Sequence, residues 1–128
     1  MTEKSFYPAA QDYLKKNLSG NIVLELKLTK TNTFNLSKME PHQLPWLYAA
    51  KHQRVTYKIA DVGFDRKPCD IIMFNGAQAY VGIIFYIPHK KKALYLIDID
   101  AFLLHQKSGR VSMNESEALI HCTHHHHL

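Results

Sequence analysis

No apolar run in this sequence reaches the ~18 residues expected of a membrane span. The longest, "AYVGIIFYI" and "ALYLIDIDAFLL", are short and contain Gly or Asp, so no membrane contact is expected. Cysteine is scarce. Cys69 and Cys122 stand far apart and in no CxxC pairing, which argues against a disulfide framework or a structural zinc site and suits a reducing cytoplasm. Neither has a local context that would lower its pKa for nucleophilic work. No P-loop, no GxGxxG and no internal repeat is visible. Glycine and proline number five each and are too scattered to form a linker. The N-terminal "MTEKSFYPAAQDYLKK" is polar and helical in pattern, unlike a secretory leader.

What is present suits one compact domain. The 128 residues are 46% hydrophobic, enough for a single core without the composition of a disordered chain. The formal net charge of +5 favours polyanionic partners, though modestly. The closing "HCTHHHHL" carries four consecutive histidines and reads as an expression-tag remnant, with a metal-binding tract as the rival reading. The domain is therefore expected over residues 1–120, with 121–128 as a tail.

Periodicity organises the chain. Phe6, Ala9, Ala10, Tyr13, Leu14 and Leu18 recur at helical spacing, with Ser5 as a candidate cap, Pro8 in the first turn and Gly20 after the last. Residues 22–28 alternate strictly: Ile22, Leu24, Leu26 and Leu28 share one face, and Val23, Glu25, Lys27 and Thr29 the other. A second helix is expected over 38–52. "SKME" (37–40) has the pattern of a capping box, yet Pro45 favours a start near Pro41. A short strand is expected at 53–58, then a polar loop with Gly63 and Pro68. Consecutive strands follow at 70–74, 80–87 and 93–99, the last two a hairpin. Two short helices (100–107 and about 113–121) close the chain, with Asp100 and Ser112 or Asn114 as caps. This order argues for one α/β domain with a mixed sheet.

The charged pair in the first strand raises the question of chemistry. Residues i and i+2 of a strand point the same way, roughly 7 Å apart at the root, so Glu25 and Lys27 share a face. A hard cation such as Mg²⁺ takes carboxylate, carbonyl and water oxygens, and a nearby lysine can orient or activate an attacking water. A solvent-facing ion pair explains the same residues.

The wider run "ELKLTKTNTFNLSKMEPHQLPWLYAAKHQ" resembles the nuclease core of the PD-(D/E)XK superfamily, in particular RecU-type Holliday junction resolvases and their short phage-like relatives. The matching features are E-L-K on a strand (Glu25, Leu26, Lys27), then T-K-T (Thr29, Lys30, Thr31), then His42-Gln43 opening a helix. The segments "YKIAD", "RKPCDIIMF", "AYVGIIFY" and "ALYLIDIDAFL" fall where such relatives have their remaining strands. The resemblance covers roughly residues 5–105. It implies a restriction-endonuclease-like core, a central mixed β-sheet flanked by α-helices. It also implies Mg²⁺ (or Mn²⁺) held by Glu25 and the Leu26 carbonyl, Lys27 positioning the nucleophile, and Gln43 reaching the same site. Branched or junction DNA as partner, a homodimer making two symmetric cuts, and a cytoplasmic setting in a bacterial or phage-infected host come with it.

One feature departs from the family pattern, since no strand with an acid precedes Glu25. Asp70, in "KPCD" at the start of an apolar strand, is the candidate for the second metal carboxylate, provided that strand pairs beside 22–28. Asp12 is expected to face water, Glu3 is doubtful because of Pro8, and Asp61 and Asp65 are weaker. If the second acid is missing, the domain would be a binding module that kept the fold without the chemistry; a structural or assembly protein is the remaining alternative. Thr29, Lys30, Thr31 and His42 are candidate DNA contacts, as are Lys90, Lys91 and Lys92 in the turn "PHKKK", which could clamp phosphates. Lys51, Arg54 and Lys58 could extend the basic track. Asp98 and Asp100 in "LIDID" are read as a strand-end turn and a helix cap. Tyr80, Phe85, Tyr86 and Tyr95 are read as packing residues, and Trp46 as either core or an oligomer contact.

Overall fold

The alternating segment Ile22–Thr29 forms β1, half-buried along most of its length on both faces, with Leu26 and Thr29 buried. The computed structural model describes residues 2–59 and 69–128; Asp61, Gly63, Asp65 and Pro68 lie outside the described residues. The central sheet has the order β1-β5-β6-β8, with β5 at Gln78–Phe85, β6 at Ala93–Asp98 and β8 at His124–His127. β1 runs parallel to β5, while β5–β6 and β6–β8 are antiparallel, so the sheet is mixed. Helices flank it on both faces. α1 (Tyr7–Asn17) covers the face of Leu26, Ile84, Leu94 and Leu96. α2 (Gln43–His52), α3 (Ile99–Lys107) and α4 (Glu115–His121) supply Leu47, Phe102 and Ala118 to the face of Val81, Ile83 and Ile97. This two-sided cover explains why β5 reads as a continuous apolar run.

Local sequence sets the element ends. A 3-10 turn over Glu3–Phe6 precedes α1, so the first helical turn begins ahead of the expected Ser5 cap; Pro8 lies in the first turn of α1, where a missing N–H costs little. Gly20 adopts φ +85° just past α1, a conformation that disfavours side chains. α2 starts at Gln43, which puts Pro45 in its first turn as the later start requires. The Ser37–Glu40 capping box does not form; Leu36–Lys38 is a 3-10 turn instead, because Glu40 precedes Pro41 and is steered away from helical geometry. Asp98, not Asp100, caps α3, accepting the Asp100 N–H at 2.9 Å. Asn114 caps α4 with a full capping box to Glu117.

Three arrangements differ from the sequence expectation. β3 (Arg54–Lys58) and β4 (Ile71–Asn75) form a two-stranded ribbon of their own and do not join the central sheet. β2 (Thr33–Asn35) and β7 (Ser112–Asn114), each too short to show alternation, pair with one another. The expected tail completes α4 and then supplies β8, whose His124–His127 pair with Leu96–Ala93 of β6. β6 is buried almost throughout, and an extended segment laid along its open edge satisfies its outward backbone groups. His126 stacks on Tyr13 of α1, ring centroids 4.8 Å apart. Tyr80, Phe85 and Tyr95 are buried packing residues, as expected. Trp46 packs edge-on against Tyr57 and Phe74 and so ties α2 to the β3–β4 ribbon.

Phe34 of β2 and its register partner Met113 of β7 are both fully buried against the larger core cluster. Phe34→Ala is therefore expected to cost about 3–5 kcal/mol, read as a lower denaturant midpoint with an unchanged fold signature in circular dichroism.

Candidate active site

Hydrogen-bond direction along β1 fixes which backbone groups are available. The carbonyls of Asn21 and Thr29 accept N–H groups of Gln78 and Tyr86 at 2.9 and 2.7 Å. Successive residues of a strand turn their backbone groups to opposite sides, so the odd residues of β1 bond β5 and the even ones face its open edge. The Leu26 carbonyl therefore points away from β5. Among the described residues β1 has no other partner in the central sheet. The odd side chains Val23, Glu25, Lys27 and Thr29 lie on the face where α2 packs.

Three side chains meet there. The Gln43 amide, at the first position of α2, donates from Nε2 to Glu25 Oε1 at 2.8 Å. Its own Oε1 accepts the Glu40 N–H at 2.9 Å, which fixes which end of the amide faces the carboxylate. Lys27 Nζ lies 3.5 Å from the same Glu25 oxygen; the lysine side chain is 12% exposed and that of Glu25 33%. A largely covered lysine side chain beside a partly open glutamate is more than a solvated surface pair. Glu25 also lines a 270 Å³ groove between α1 and the open edge of β1, with Tyr7, Gln11, Leu14, Leu24 and Leu26. Gln11 was not singled out from the sequence. Its signal is a lone polar residue between Tyr7 and Leu14 at i, i+4, i+7 spacing.

Asp70 is not where the chemistry required it. The strand beside β1 is β5, so Glu25 stands opposite Val81 and Leu26 opposite Gly82. β4 pairs with β3, and Asp70 precedes it in an exposed bend, where its carbonyl accepts the Ile59 N–H at 2.9 Å. β5, apolar along almost its whole length, takes the central position that buries both its faces; the β3–β4 ribbon, polar through Arg54, Thr56 and Lys58 of β3, is tolerated outside. Among the described residues no group of three or more His, Cys, Asp or Glu side chains could hold a metal ion. The donors on β1 are thus one carboxylate and one strand-edge carbonyl. That set fits a hard cation only in part, since Mg²⁺ bound through one carboxylate relies on waters and substrate phosphate for its remaining ligands.

The candidate DNA contacts divide. Thr29 is 1% exposed, and its hydroxyl donates to the Thr33 carbonyl at 2.9 Å, as does that of Thr31. Thr29 builds the β1–β2 turn and cannot reach a phosphate, a correction to its expected role. Lys30 and Thr31 are exposed at that turn. Lys90 and Lys91 are exposed in the β5–β6 turn, which lies at the same end of the sheet because β1 and β5 run parallel to Thr29↔Phe85. Lys92 lies over the Tyr86 ring, 4.4 Å from its centroid. His42 is exposed, with Nδ1 3.7 Å from Glu40. Lys51 does not join a basic track: its Nζ lies 2.8 Å from Asp98 and 2.6 Å from Asp100, and His52 Nε2 lies 2.8 Å from Asp100. Asp98 and Asp100 are thereby neutralised, in keeping with their reading as structural.

No family model matches the chain, and no curated protein or solved structure is similar to it. The site therefore stands on its own geometry.

The Lys51 hydrogen bond, supported by His52, lowers the Asp100 pKa against a smaller opposing effect of burial. A lowered carboxylate contributes stability above its ordinary value of 3.8 and loses it as pH falls through the lower folded value. Asp100→Asn is expected to lower the denaturant midpoint near neutrality and to narrow its gap from wild type below pH ~4. A gap independent of pH would remove the ion pair as its cause.

Proposed function

We propose that this chain is a Mg²⁺-dependent (or Mn²⁺-dependent) DNA endonuclease with a restriction-endonuclease-like core, acting on branched DNA as RecU-type resolvases do and working as a homodimer. The observation that carries this reading is the Gln43–Glu25 hydrogen bond. The E-L-K strand and the H-Q helix start are 18 residues apart in sequence, and an incidental surface pair gives no reason for them to meet. Glu25 and the Leu26 carbonyl are the groups that would hold the cation. Bound there, it would supply Lewis-acid polarisation of the scissile phosphate. Lys27 lies close enough to the carboxylate to hold an attacking water by hydrogen bond and to offset the charge that develops on phosphorus. Gln43 fixes the rotamer of Glu25, so the carboxylate is oriented before substrate arrives. Lys30, Lys90 and Lys91 stand at the end of β1 and β5 toward which Lys27 lies, where a phosphate backbone can be followed without sequence reading.

The partial donor set favours a second reading, a nucleic-acid-binding module on the same fold. One experiment separates them: a panel of branched and linear DNAs incubated with Mg²⁺ or Mn²⁺. The nuclease reading expects metal-dependent cleavage that Glu25→Gln and Lys27→Ala each reduce by about 10²-fold or more, with folding intact by circular dichroism. Gln43→Ala should cost about 10-fold, as expected of a positioning residue. Salt-dependent binding without cleavage of any substrate would select the module, and wild-type nicking by both Glu25 and Lys27 variants would overturn the assignment of the site.

A further inference from the structure

Among the described residues the β3–β4 ribbon has two edges that pair with no further strand, and they differ in character. The Ile59 N–H donates to the Asp70 carbonyl, and this sets the phase of the antiparallel ladder. Hydrogen-bonded pairs alternate with non-bonded ones, so Tyr57/Ile72 and Val55/Phe74 exchange bonds within the ribbon. Arg54/Asn75, Thr56/Met73 and Lys58/Ile71 are the alternate pairs in the register. Their N–H and C=O groups point outward, those of Ile71, Met73 and Asn75 along the β4 edge and those of Arg54, Thr56 and Lys58 along the β3 edge. Tyr57 and Phe74 face Trp46, so the side chains of these outward pairs lie on the opposite face of the ribbon. Ile71 is 59% and Met73 56% exposed there.

We propose that β4 is a homodimer seam, in which it pairs antiparallel with β4 of a second copy about a two-fold axis at Met73. A two-fold seam must be complementary to itself. Centred on Met73, the strand sets Met73 against Met73, Ile71 against Asn75 and Ile72 against Phe74 of the other copy. The outward backbone groups then meet in register, and the uncharged "IIMFN" brings no like charges together. The β3 edge fails the same test. A two-fold axis at Thr56 would set Arg54 against Lys58 twice over, and opposed cations on an edge strand repel. The dimer would extend a marginal two-stranded ribbon to four strands and join the exposed Ile71 and Met73 of both copies into one covered stripe. The seam is short, so association is expected to be concentration-dependent. It does not rest on the nuclease reading.

Proline substitution separates the two edges. Met73 and Thr56 face one another in a non-bonded pair, so proline at either position removes an outward N–H and leaves the β3–β4 ladder bonded. In sedimentation velocity over a dilution series, the wild type is expected to move from the chain mass to twice that mass as concentration rises. Met73→Pro should stay at the chain mass throughout, while Thr56→Pro dimerises like the wild type. Thermal melts check that each variant folds. Should Met73→Pro fail to melt cooperatively, Met73→Lys, which sets two ammonium groups together at the axis, takes its place with the same expected outcome. A wild type that remains at the chain mass, or a folded Met73 variant that dimerises as wild type does, overturns the proposal.

Discussion

The parallel pairing of β1 with β5 is the constraint on which the rest of the arrangement depends. Antiparallel neighbours can be joined by a tight turn, but parallel neighbours need a connection that carries the chain back to the starting end of the sheet. Between Thr29 and Gln78 that return is made by β2, α2 and the β3–β4 ribbon. α2 packs on the face of β1 that carries Glu25 and Lys27, so its first residue comes down on the carboxylate. The Gln43 contact is thus a consequence of the crossover. A hairpin from β1 into its neighbour would have left Glu25 and Lys27 as an ordinary pair on an open face.

The part of this that was legible in the sequence is the part with a short period. Alternation over Ile22–Thr29 assigns Glu25 and Lys27 to one face without reference to anything else. Pro45 sets the start of α2, because a proline is tolerated only in a first turn, and that start in turn sets which residue can reach back to the strand. The choice of neighbour for β1 was not legible. Both "DIIMF" and "AYVGIIFY" are acceptable strands, and only the demand for two-sided burial, a property of the whole domain, decides that the second lies beside Glu25. Asp70 was placed by the wrong choice between them. Lys51 was misread for a related reason: on the helix alone it is one more cation, and its two acid partners lie 47 and 49 residues away. The pairing of the His-rich end with β6 was not legible, because composition carries no signal for backbone pairing. Four histidines resemble a purification handle, yet extended residues of any type can close a strand edge by backbone pairing.

Two acid-containing corners of the molecule show how local pairing sorts structural from chemical groups. Asp98 and Asp100 are engaged by Lys51, by His52 and by the N-terminus of α3, so their charges are spent on holding α2, β6 and α3 together. Glu25 is engaged differently. Both of its contacts fall on Oε1, and among the described residues no hydrogen bond is made to Oε2. A carboxylate whose amide and ammonium partners both sit on one oxygen is oriented, with its second oxygen left free of any hydrogen bond among the described residues.

Such a carboxylate has a thermodynamic consequence. A single carboxylate and a strand-edge carbonyl would displace few of the waters that Mg²⁺ gives up reluctantly, so on the proposed nuclease reading β1 alone would hold a cation weakly. Adding a phosphate would supply further oxygens and a second negative charge, while Lys27 would oppose the cation until an anion is there to share. Cation and phosphate would then bind with positive coupling, each raising the affinity for the other by the same factor. A site built this way would stay nearly empty at rest and would be completed by a phosphate. On the proposed nuclease reading, the departure from a two-carboxylate pattern would make metal occupancy depend on nucleic acid.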